Sequence, residues 1–205
     1  MDARLSAIAE LVRLDRKICD VGTDHALLPC LLYRRGARDI IACDVNDGPL
    51  RAASIAVFKE GAEDGIRVMK SDGLRDVPPC EDIIIAGMGG ELIARIVTEC
   101  RFVTGETRFI LQPMTRAEAL RRELYRHGFE IMLENGVSAG GRVYTVLLVR
   151  FTGELSEIDD SFAFFGKNSD PRYIASVNRR LRRLAEGDPY YKTLIQHETR
   201  QAEVQ

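Results

Sequence analysis

The sequence lacks the patterns that are typical of membrane-spanning, disulfide-rich, zinc-binding and strongly basic proteins. No apolar run reaches the length of a membrane span, and the opening residues form an amphipathic pattern with acids, unlike a signal peptide. The five cysteines include no C-x-x-C pair, which argues against a disulfide framework or a zinc site. Positive charge is not in excess, since the net charge of the 205 residues is −2, so any RNA contact must come from a local patch. We expect a cytoplasmic globular protein without a metal site or a membrane association.

A glycine fingerprint for dinucleotides is also missing after the first predicted strand. That strand, at residues 17–21, is followed by the single glycine Gly22, where G-x-G-x-x-G would indicate NAD or FAD. The strand ends in a carboxylate, Asp20, and the second strand ends in another, Asp44, after a helix predicted over 26–35. A carboxylate at the tip of the second strand can accept hydrogen bonds from both hydroxyls of a ribose. The pattern predicts a nucleoside-binding edge, and the alternative is a doubly wound domain whose strand ends are merely acidic.

The order of strands and helices predicts an α/β fold. Strands are predicted at 17–21, 40–44, 66–70, 82–86, 108–111, 129–134 and 142–151. The connection between the last two is too short for a parallel crossover, so they should be antiparallel. A doubly wound, Rossmann-like sheet of seven strands with an antiparallel last strand is the layout of class I methyltransferases, and it favours S-adenosylmethionine over NAD. We place this domain at 1–152.

The pattern changes after residue 152. We predict a linker and a small C-terminal α-helical region over 153–205, in which Asp170 and Pro171 open a helix. One face of that helix is apolar, and the rest carries Arg172, Arg179, Arg180, Arg182 and Arg183. These arginines are candidate contacts for an RNA backbone, and the alternative is a solvated helix surface.

Ligands of doubly wound sheets bind beyond the carboxyl ends of the strands. There, Asp20 would hold the amino group of the cofactor, Gly22 would permit a tight turn, and Asp44 would hold the ribose. Asp72 and Gly73 suit recognition of the adenine amino group or form only a turn. The candidate cofactor residues are Asp20, Gly22, Thr23, His25, Asp44, Val45, Asp72, Gly73 and Ala86.

The acceptor side is predicted after the fourth strand. Gly87-Met88-Gly89-Gly90 would let the backbone approach the transferred methyl group and a flat base, although a glycine cluster that opens a helix can instead bind phosphate. Asp24, Gly87 and Met88 are the candidate catalytic residues. Asp24 has the alternative role of capping the next helix, with His25 in its first turn. Thr115 and Glu118 predict a capping box for a later helix.

Together these motifs resemble the bacterial tRNA (adenine-22-N1)-methyltransferases. The resemblance covers about residues 4–150 and includes D-V-G-T-D-H-A at 20–26, S-D-G-L at 71–74, I-A-G-M-G-G at 85–90, L-Q-P at 111–113 and G-R-x-Y at 141–144. It implies S-adenosylmethionine as the cofactor, tRNA as the partner, and a C-terminal helical hairpin that contacts tRNA, with Arg4 as a further RNA-binding candidate. The chain departs from the family at Met114, Arg142 and Thr145, where an asparagine, a lysine and an acid are usual.

Competing functions remain open at this point. A methyltransferase for a different RNA or a small molecule would keep the cofactor residues without needing the arginine helix. A nicotinamide oxidoreductase is disfavoured by the closing hairpin and the missing glycines. A non-catalytic RNA-binding protein would bind tRNA without transferring a methyl group.

Overall fold

The computed structural model describes residues 2–196 and places seven strands in one sheet between two layers of helices. The strands are β1 Ile18–Val21, β2 Ile40–Asp44, β3 Ile66–Lys70, β4 Asp82–Gly89, β5 Arg108–Thr115, β6 Phe129–Ala139 and β7 Arg142–Phe151. Their order is β3-β2-β1-β4-β5-β7-β6. The first five are parallel, and β7 runs antiparallel to β5 and to β6. The predicted doubly wound sheet with an antiparallel last strand is therefore confirmed.

Helices cover both faces of the sheet. They are α1 Ala3–Leu11, α2 Leu27–Arg34, α3 Asp47–Glu60, α4 Gly90–Thr98, α5 Ala117–Arg126, α6 Asp160–Phe165, α7 Pro171–Leu184 and a short 3-10 helix at Pro189–Leu194. Successive side chains along a strand point to opposite faces of the sheet and belong to two separate cores. Cys19 packs in the core with α4 and α5, whereas Ile18 packs in the core with α1 and α2. All five cysteines are buried and none forms a disulfide. No helix within residues 2–196 has the length and apolar character needed to cross a membrane.

Three strands extend beyond their predicted ends. β4 does not stop at Ala86 but continues to Gly89, and the pairing register with β5 shifts around Gly87. β5 continues to Thr115 and β6 to Ala139. The turn-forming residues that suggested an end are accommodated as a bulge in β4, because an extra residue can be inserted where pairing is locally interrupted.

The predicted capping box at the start of α5 is wrong. Thr115 belongs to β5, and Arg116, with φ of 57°, precedes the helix without a side-chain cap. The Glu118 carboxylate instead accepts two hydrogen bonds from Arg180, at 2.8 and 2.7 Å. Glu118 thus binds Arg180 of α7 instead of the backbone N–H at the start of α5 that a capping box would use.

The C-terminal region packs against the sheet. Phe164, Phe165, Tyr173, Val177 and Leu181 form their own buried cluster, which also contacts Val143 of β7. The predicted opening of α7 is confirmed, since the Asp170 carboxylate accepts from the Arg172 N–H at 2.8 Å. Where the resemblance implies a helical hairpin, the structure has α7 followed by the short 3-10 helix; residues 197–205 of the predicted region lie outside the described residues.

Candidate active site

Asp20 is a buried carboxylate near the carboxyl end of β1. It is 5% exposed, and burial raises its pKa to about 6, with a further rise from the charge of Asp44. The nearby Thr23 hydroxyl lowers the pKa of Asp20 and so offsets part of this rise. The hydroxyl itself forms no hydrogen bond within residues 2–196. A cation placed beside Asp20 would favour its ionised form.

The loop from 22 to 26 turns the chain sharply away from the sheet. Gly22 has φ of 76°, and the N–H groups of Gly22 and Thr23 donate to the carbonyl oxygen of Cys43 at 2.8 and 3.0 Å. Asp24 and Ala26 also have positive φ, at 48° and 52°. Left-handed backbone at non-glycine residues is strained and clusters at functional sites.

The alternative role of Asp24 as the cap of α2, with His25 in the first turn of that helix, is wrong. Ala26 is the N-cap residue and makes no side-chain cap, so Asp24 does not cap the helix and His25 precedes its first turn. The left-handed backbone at Asp24 and Ala26 delays the start of the helix. The side chains of Asp24 and His25 are exposed to solvent. They are 72% and 62% exposed, with 3.5 Å between Asp24 Oδ1 and His25 Nε2.

A crevice of about 270 Å³ opens beyond the carboxyl ends of β1, β2, β3 and β4. The cofactor candidates Gly22, Asp44, Val45, Asp72 and Gly73 line it, together with Met88 from the acceptor side. The candidates Asp20, Thr23, His25 and Ala86 do not line it. The structure thus brings together five of the nine cofactor candidates and Met88, from the ends of four strands.

Two candidate carboxylates of the crevice have different surroundings. Asp44 accepts a hydrogen bond from the Asn46 N–H at 2.8 Å, which fixes the carboxylate at the tip of β2. Asp72 lies 3.4 Å from Arg75 and 3.5 Å from Arg95, measured between carboxylate oxygen and guanidinium nitrogen. A ligand must therefore share Asp72 with these arginines, whereas no ion pair within residues 2–196 involves Asp44.

Sequence reasoning missed the wall that α4 contributes. Leu92, Arg95 and Ile96 line the crevice together with Asp44. Leu92 and Ile96 are four residues apart, a spacing that reads as a core-facing helix stripe. The available signal was that Leu92 lies just after the glycine cluster, in the first turn of a helix that begins at the site.

The residues present fit a sulfonium nucleoside. A methyl group added to Gly22 would overlap the end of the Met88 side chain, so glycine allows Met88 to pack against this turn beside the crevice. The Thr23 hydroxyl is buried without a partner within residues 2–196, and such a group costs free energy until a ligand or water satisfies it. No group of three or more His, Cys, Asp or Glu side chains in this part of the chain is arranged to hold a metal ion.

The candidate acceptor residues lie where β4 and β5 meet. Met88 pairs with Pro113, and Gly89 pairs with Thr115. A side chain at Gly90 would overlap the backbone of Arg116, so the two strand ends are in close contact. Gly87, at the bulge, has open space where a side chain would be.

The arginine candidates fall into two groups. Arg172 forms an ion pair with Asp170 at 2.7 Å, and half-buried Arg180 binds Glu118. Arg179, Arg182 and Arg183 are exposed on α7. Arg4 binds Asp2 at 2.6 Å and lies over the Tyr144 ring, 5.2 Å from its centroid. The predicted basic face is thus partly neutralised by the protein's own acids.

Comparison with known proteins agrees with this architecture. The family model described as "Methyltransferase domain" matches residues 1–147. The tRNA (adenine(22)-N(1))-methyltransferase of Bacillus subtilis (strain 168) is 36% identical over 152 residues, which are 72% of this chain and 64% of that protein. This chain therefore spans slightly less than two thirds of the length of that relative.

Solved structures extend the likeness. A Streptococcus pneumoniae protein described as a candidate tRNA (m1A22) methyltransferase, in complex with S-adenosyl-L-methionine, is 32% identical with a TM-score of 0.80, covering 94% of this chain and 93% of the other. The B. subtilis M1A22 tRNA methyltransferase TrmK is 26% identical with a TM-score of 0.78, covering 96% and 99%. The chain belongs to the methyltransferase-domain family and, within it, to the bacterial tRNA (adenine-22-N1)-methyltransferases.

Proposed function

We propose that this protein transfers a methyl group from S-adenosylmethionine to N1 of the adenine at position 22 of tRNA. The observation that carries the proposal is the placement of Asp44 at the tip of β2, in one crevice with the Gly22 turn and with residues of α4. A carboxylate and a glycine turn in this arrangement suit a nucleoside.

Each part of the cofactor has a matching group in the chain. Asp44 would accept hydrogen bonds from both ribose hydroxyls, and Gly73 would border the adenine. Asp20 would balance the charge of the methionine ammonium group, directly or through a water. Burial disfavours the ionised form of Asp20, and a nearby cation would stabilise that form. The Thr23 hydroxyl would gain the partner that it otherwise lacks within residues 2–196. When bound, the sulfonium supplies an electrophilic methyl group.

The protein's part in the reaction is mainly positioning. Adenine N1 carries an in-plane lone pair, so it needs no prior deprotonation, and an in-line approach depends on how donor and acceptor are held. The open backbone at Gly87 and the side chain of Met88 border the place where the base must arrive. The methylated ring is cationic, so Asp24 or the carbonyl oxygens of residues 86–88 would stabilise it from the N6 side.

RNA recognition would involve the exposed arginines of α7. N1 is engaged in Watson–Crick pairing, so the target adenine must be unpaired or flipped out of its stack. Arg179, Arg182 and Arg183 are exposed and suited to the phosphate backbone. RNA would have to compete with Asp2 for Arg4, with Asp170 for Arg172 and with Glu118 for Arg180. The relatives named as tRNA methyltransferases support tRNA as the partner, and a tRNA substrate in turn favours a cytoplasmic location.

The direct test incubates the protein with methyl-labelled S-adenosylmethionine and unmodified tRNA, followed by nucleoside analysis. We expect 1-methyladenosine, and we expect none when adenine 22 is replaced by guanine. Label in another nucleoside, or in a small molecule but not in tRNA, would support the alternative of a methyltransferase with a different acceptor. Absence of S-adenosylmethionine binding in calorimetry would contradict the proposal at its base.

A separate variant tests Asp24. If this carboxylate stabilises the methylated ring, Asp24→Ala should lower kcat while leaving cofactor affinity intact. Unchanged turnover would remove Asp24 from the catalytic residues and leave the backbone carbonyls of 86–88 in that role.

A further inference from the structure

A second crevice, of about 190 Å³, lies between the carboxyl end of β5, the beginning of β7 and one side of α7. Arg116, Arg180 and Arg183 line it, and no acidic residue from the described part of the chain does. We call it the basic crevice. The cofactor crevice differs in charge, since Asp44 and Asp72 line it with a single arginine. A crevice lined by one sign of charge attracts ligands of the opposite sign, so the basic crevice suits an anion.

The three arginines differ in how firmly the protein's own acids hold them. Arg180 donates from Nη1 and Nη2 to the two carboxylate oxygens of Glu118, at 2.8 and 2.7 Å. Arg116 lies 3.2 Å from the same carboxylate and 3.0 Å from Glu91, but its side chain is 55% exposed. Arg183 is exposed and forms no ion pair within residues 2–196. A ligand can therefore reach positive charge at Arg116 and at Arg183.

Two hydroxyl groups stand beside these arginines. Thr115 lines the basic crevice from the end of β5, and Ser176 lines it from α7. Ser176 and Arg183 are seven residues apart, which is close to two helical turns, so they lie on the same face of α7. Guanidinium and hydroxyl groups are side-chain donors that contact phosphate oxygens in nucleic-acid complexes. The basic crevice therefore has the donors of a phosphate site.

The basic crevice adjoins the candidate acceptor residues. Thr115 pairs with Gly89, and a side chain at Gly89 would lie 3.5 Å from the Thr115 hydroxyl oxygen. A side chain at Gly90 would overlap the backbone of Arg116. An anion in the basic crevice is therefore held next to the glycine cluster at the start of α4, where the acceptor base must arrive.

We propose that the basic crevice binds a backbone phosphate of tRNA next to the target adenine, with Arg116 and Arg183 as its charged partners. The proposal rests on the function proposed above and adds an RNA contact from the methyltransferase domain, because Arg116 precedes α5. Phosphate contacts fix the register and orientation of a nucleic acid. An adenine that has left its stack stays joined to the phosphates on both of its sides, so holding one of them positions the base.

The test combines a change in the RNA with a change in the protein. tRNA is assembled with an uncharged methylphosphonate in place of the phosphate on the 5′ or the 3′ side of adenine 22. For the wild-type protein, one of these changes should lower kcat/KM at least about tenfold, the effect of losing a hydrogen bond to a charged group. For the double variant Arg116→Ala with Arg183→Ala, the same change should alter kcat/KM by less than about twofold, because the partners of that phosphate are already gone.

The salt dependence of tRNA binding gives a second readout. The double alanine variant should bind tRNA more weakly and lower the slope of the salt dependence by about one, since one phosphate contact is lost. The double variant Arg116→Lys with Arg183→Lys keeps both charges and should keep the slope. Calorimetric affinity for S-adenosylmethionine should be unchanged in both variants, which also verifies that they are folded.

Two matched controls lie away from the basic crevice. Arg126 is the last residue of α5, at the opposite end of that helix from Arg116, and it is likewise exposed and paired with two glutamates. Arg35 follows the end of α2 and, like Arg183, is exposed without an ion pair in the described part of the chain. The double variant Arg126→Ala with Arg35→Ala should keep the wild-type salt slope and the wild-type sensitivity to methylphosphonate.

The outcomes separate the two proposals. Equal losses on methylphosphonate substitution in the wild type and in the Arg116 and Arg183 alanine variant would overturn the phosphate site and leave the proposed function standing. An active wild-type enzyme that tolerates both methylphosphonates would have the same meaning. A wild-type protein that binds S-adenosylmethionine but does not methylate tRNA would instead overturn the proposed substrate, and the phosphate site with it.

Discussion

The guanidinium of Arg121 on α5 and the carboxylate of Glu134 on β6 form an ion pair that is closed to solvent. Arg121 also donates to the Tyr173 hydroxyl at 2.7 Å and to the Ala163 carbonyl at 2.6 Å. Glu134 accepts in addition from the Thr145 hydroxyl at 2.6 Å. The pair therefore joins the sheet to α6 and α7, and it fixes where the arginine-bearing helix stands.

Breaking this pair should destabilise the protein strongly. Removal of one partner leaves a buried charge without its counter-ion, so Arg121→Met or Glu134→Gln should each lower the free energy of unfolding by about 3–5 kcal/mol. Urea denaturation measures this loss.

The double variant Arg121→Met with Glu134→Gln is the control, because it removes both charges. It should lose less than the sum of the two single changes, as expected for residues in direct contact. Additive losses would show that the two side chains are energetically independent.

Asp44 should be the most sensitive single position for the cofactor. Asp44→Asn keeps the size of the side chain but removes its charge and one acceptor, and it should weaken S-adenosylmethionine binding at least tenfold, since hydrogen bonds to a charged group contribute about 1.5–3 kcal/mol. Isothermal titration calorimetry measures the change.

The matched control is Asp47→Asn, three residues later. Asp47 is exposed, forms an ion pair with Lys70 at 2.7 Å and does not line the crevice. Its variant should bind the cofactor as the wild type does. Equal weakening by both variants would indicate a general loss of negative charge instead of a specific contact.

Stability should depend on pH through Asp20. Its pKa is about 6 in the folded protein, above the ordinary 3.8, so the folded state binds the proton more tightly than the unfolded state. The free energy of unfolding should therefore fall as the pH rises from about 4 to about 6, and this contribution should then level off. Asp20→Asn should remove this fall, which denaturation curves at pH 4, 5, 6 and 7.5 can detect.

Cofactor affinity should also depend on the ionisation of Asp20, but it should increase with pH where stability decreases. The ammonium group of S-adenosylmethionine favours ionised Asp20, so affinity should decline by up to about tenfold per pH unit below 6. Asp20→Asn should bind weakly at every pH. A wild-type affinity that is constant between pH 5 and 7.5 would exclude this contact.

The contact between the ends of β4 and β5 makes a prediction about Gly90. Gly90→Ala would place a methyl group against the backbone of Arg116, which cannot move as a side chain does, so stability should fall by about 1–3 kcal/mol. Gly48→Ala is the control, because Gly48 occupies the first turn of α3 and has open space around it. That variant should be neutral or stabilised by up to about 1 kcal/mol, as thermal unfolding would show.

Most of the sheet could be predicted because its signals are local. The short connection before Arg142 required antiparallel pairing, and Gly61 and Pro171 marked the end of one helix and the start of another. The strand ends were less predictable. Gly87 signals a turn in isolation, yet pairing with β5 carries β4 past it, and that pairing is not visible in the local sequence.

The site was predictable where the backbone determines it and less so where side chains from distant segments meet. Gly22, Asp44 and Gly73 follow from the strand ends alone. The pairing of Arg180 with Glu118 required knowledge that α7 packs beside α5, and Ala26 gave no signal of its left-handed backbone. Thr145, at a position where the family usually has an acid, lies beside Glu134, so the carboxylate of this cluster comes from the neighbouring strand.

Gly166 gives the Arg121–Glu134 contact a consequence for protein engineering. A side chain at this position would overlap both Glu134 and Arg121, so the chain passes directly over the pair. A chimera that exchanged only the C-terminal region after β7 between two such enzymes would place Gly166 against residues from the other enzyme at positions 121 and 134. The transplantable unit is the tail together with α5 and β6, and a swap that respects this unit has the better prospect of yielding a folded hybrid.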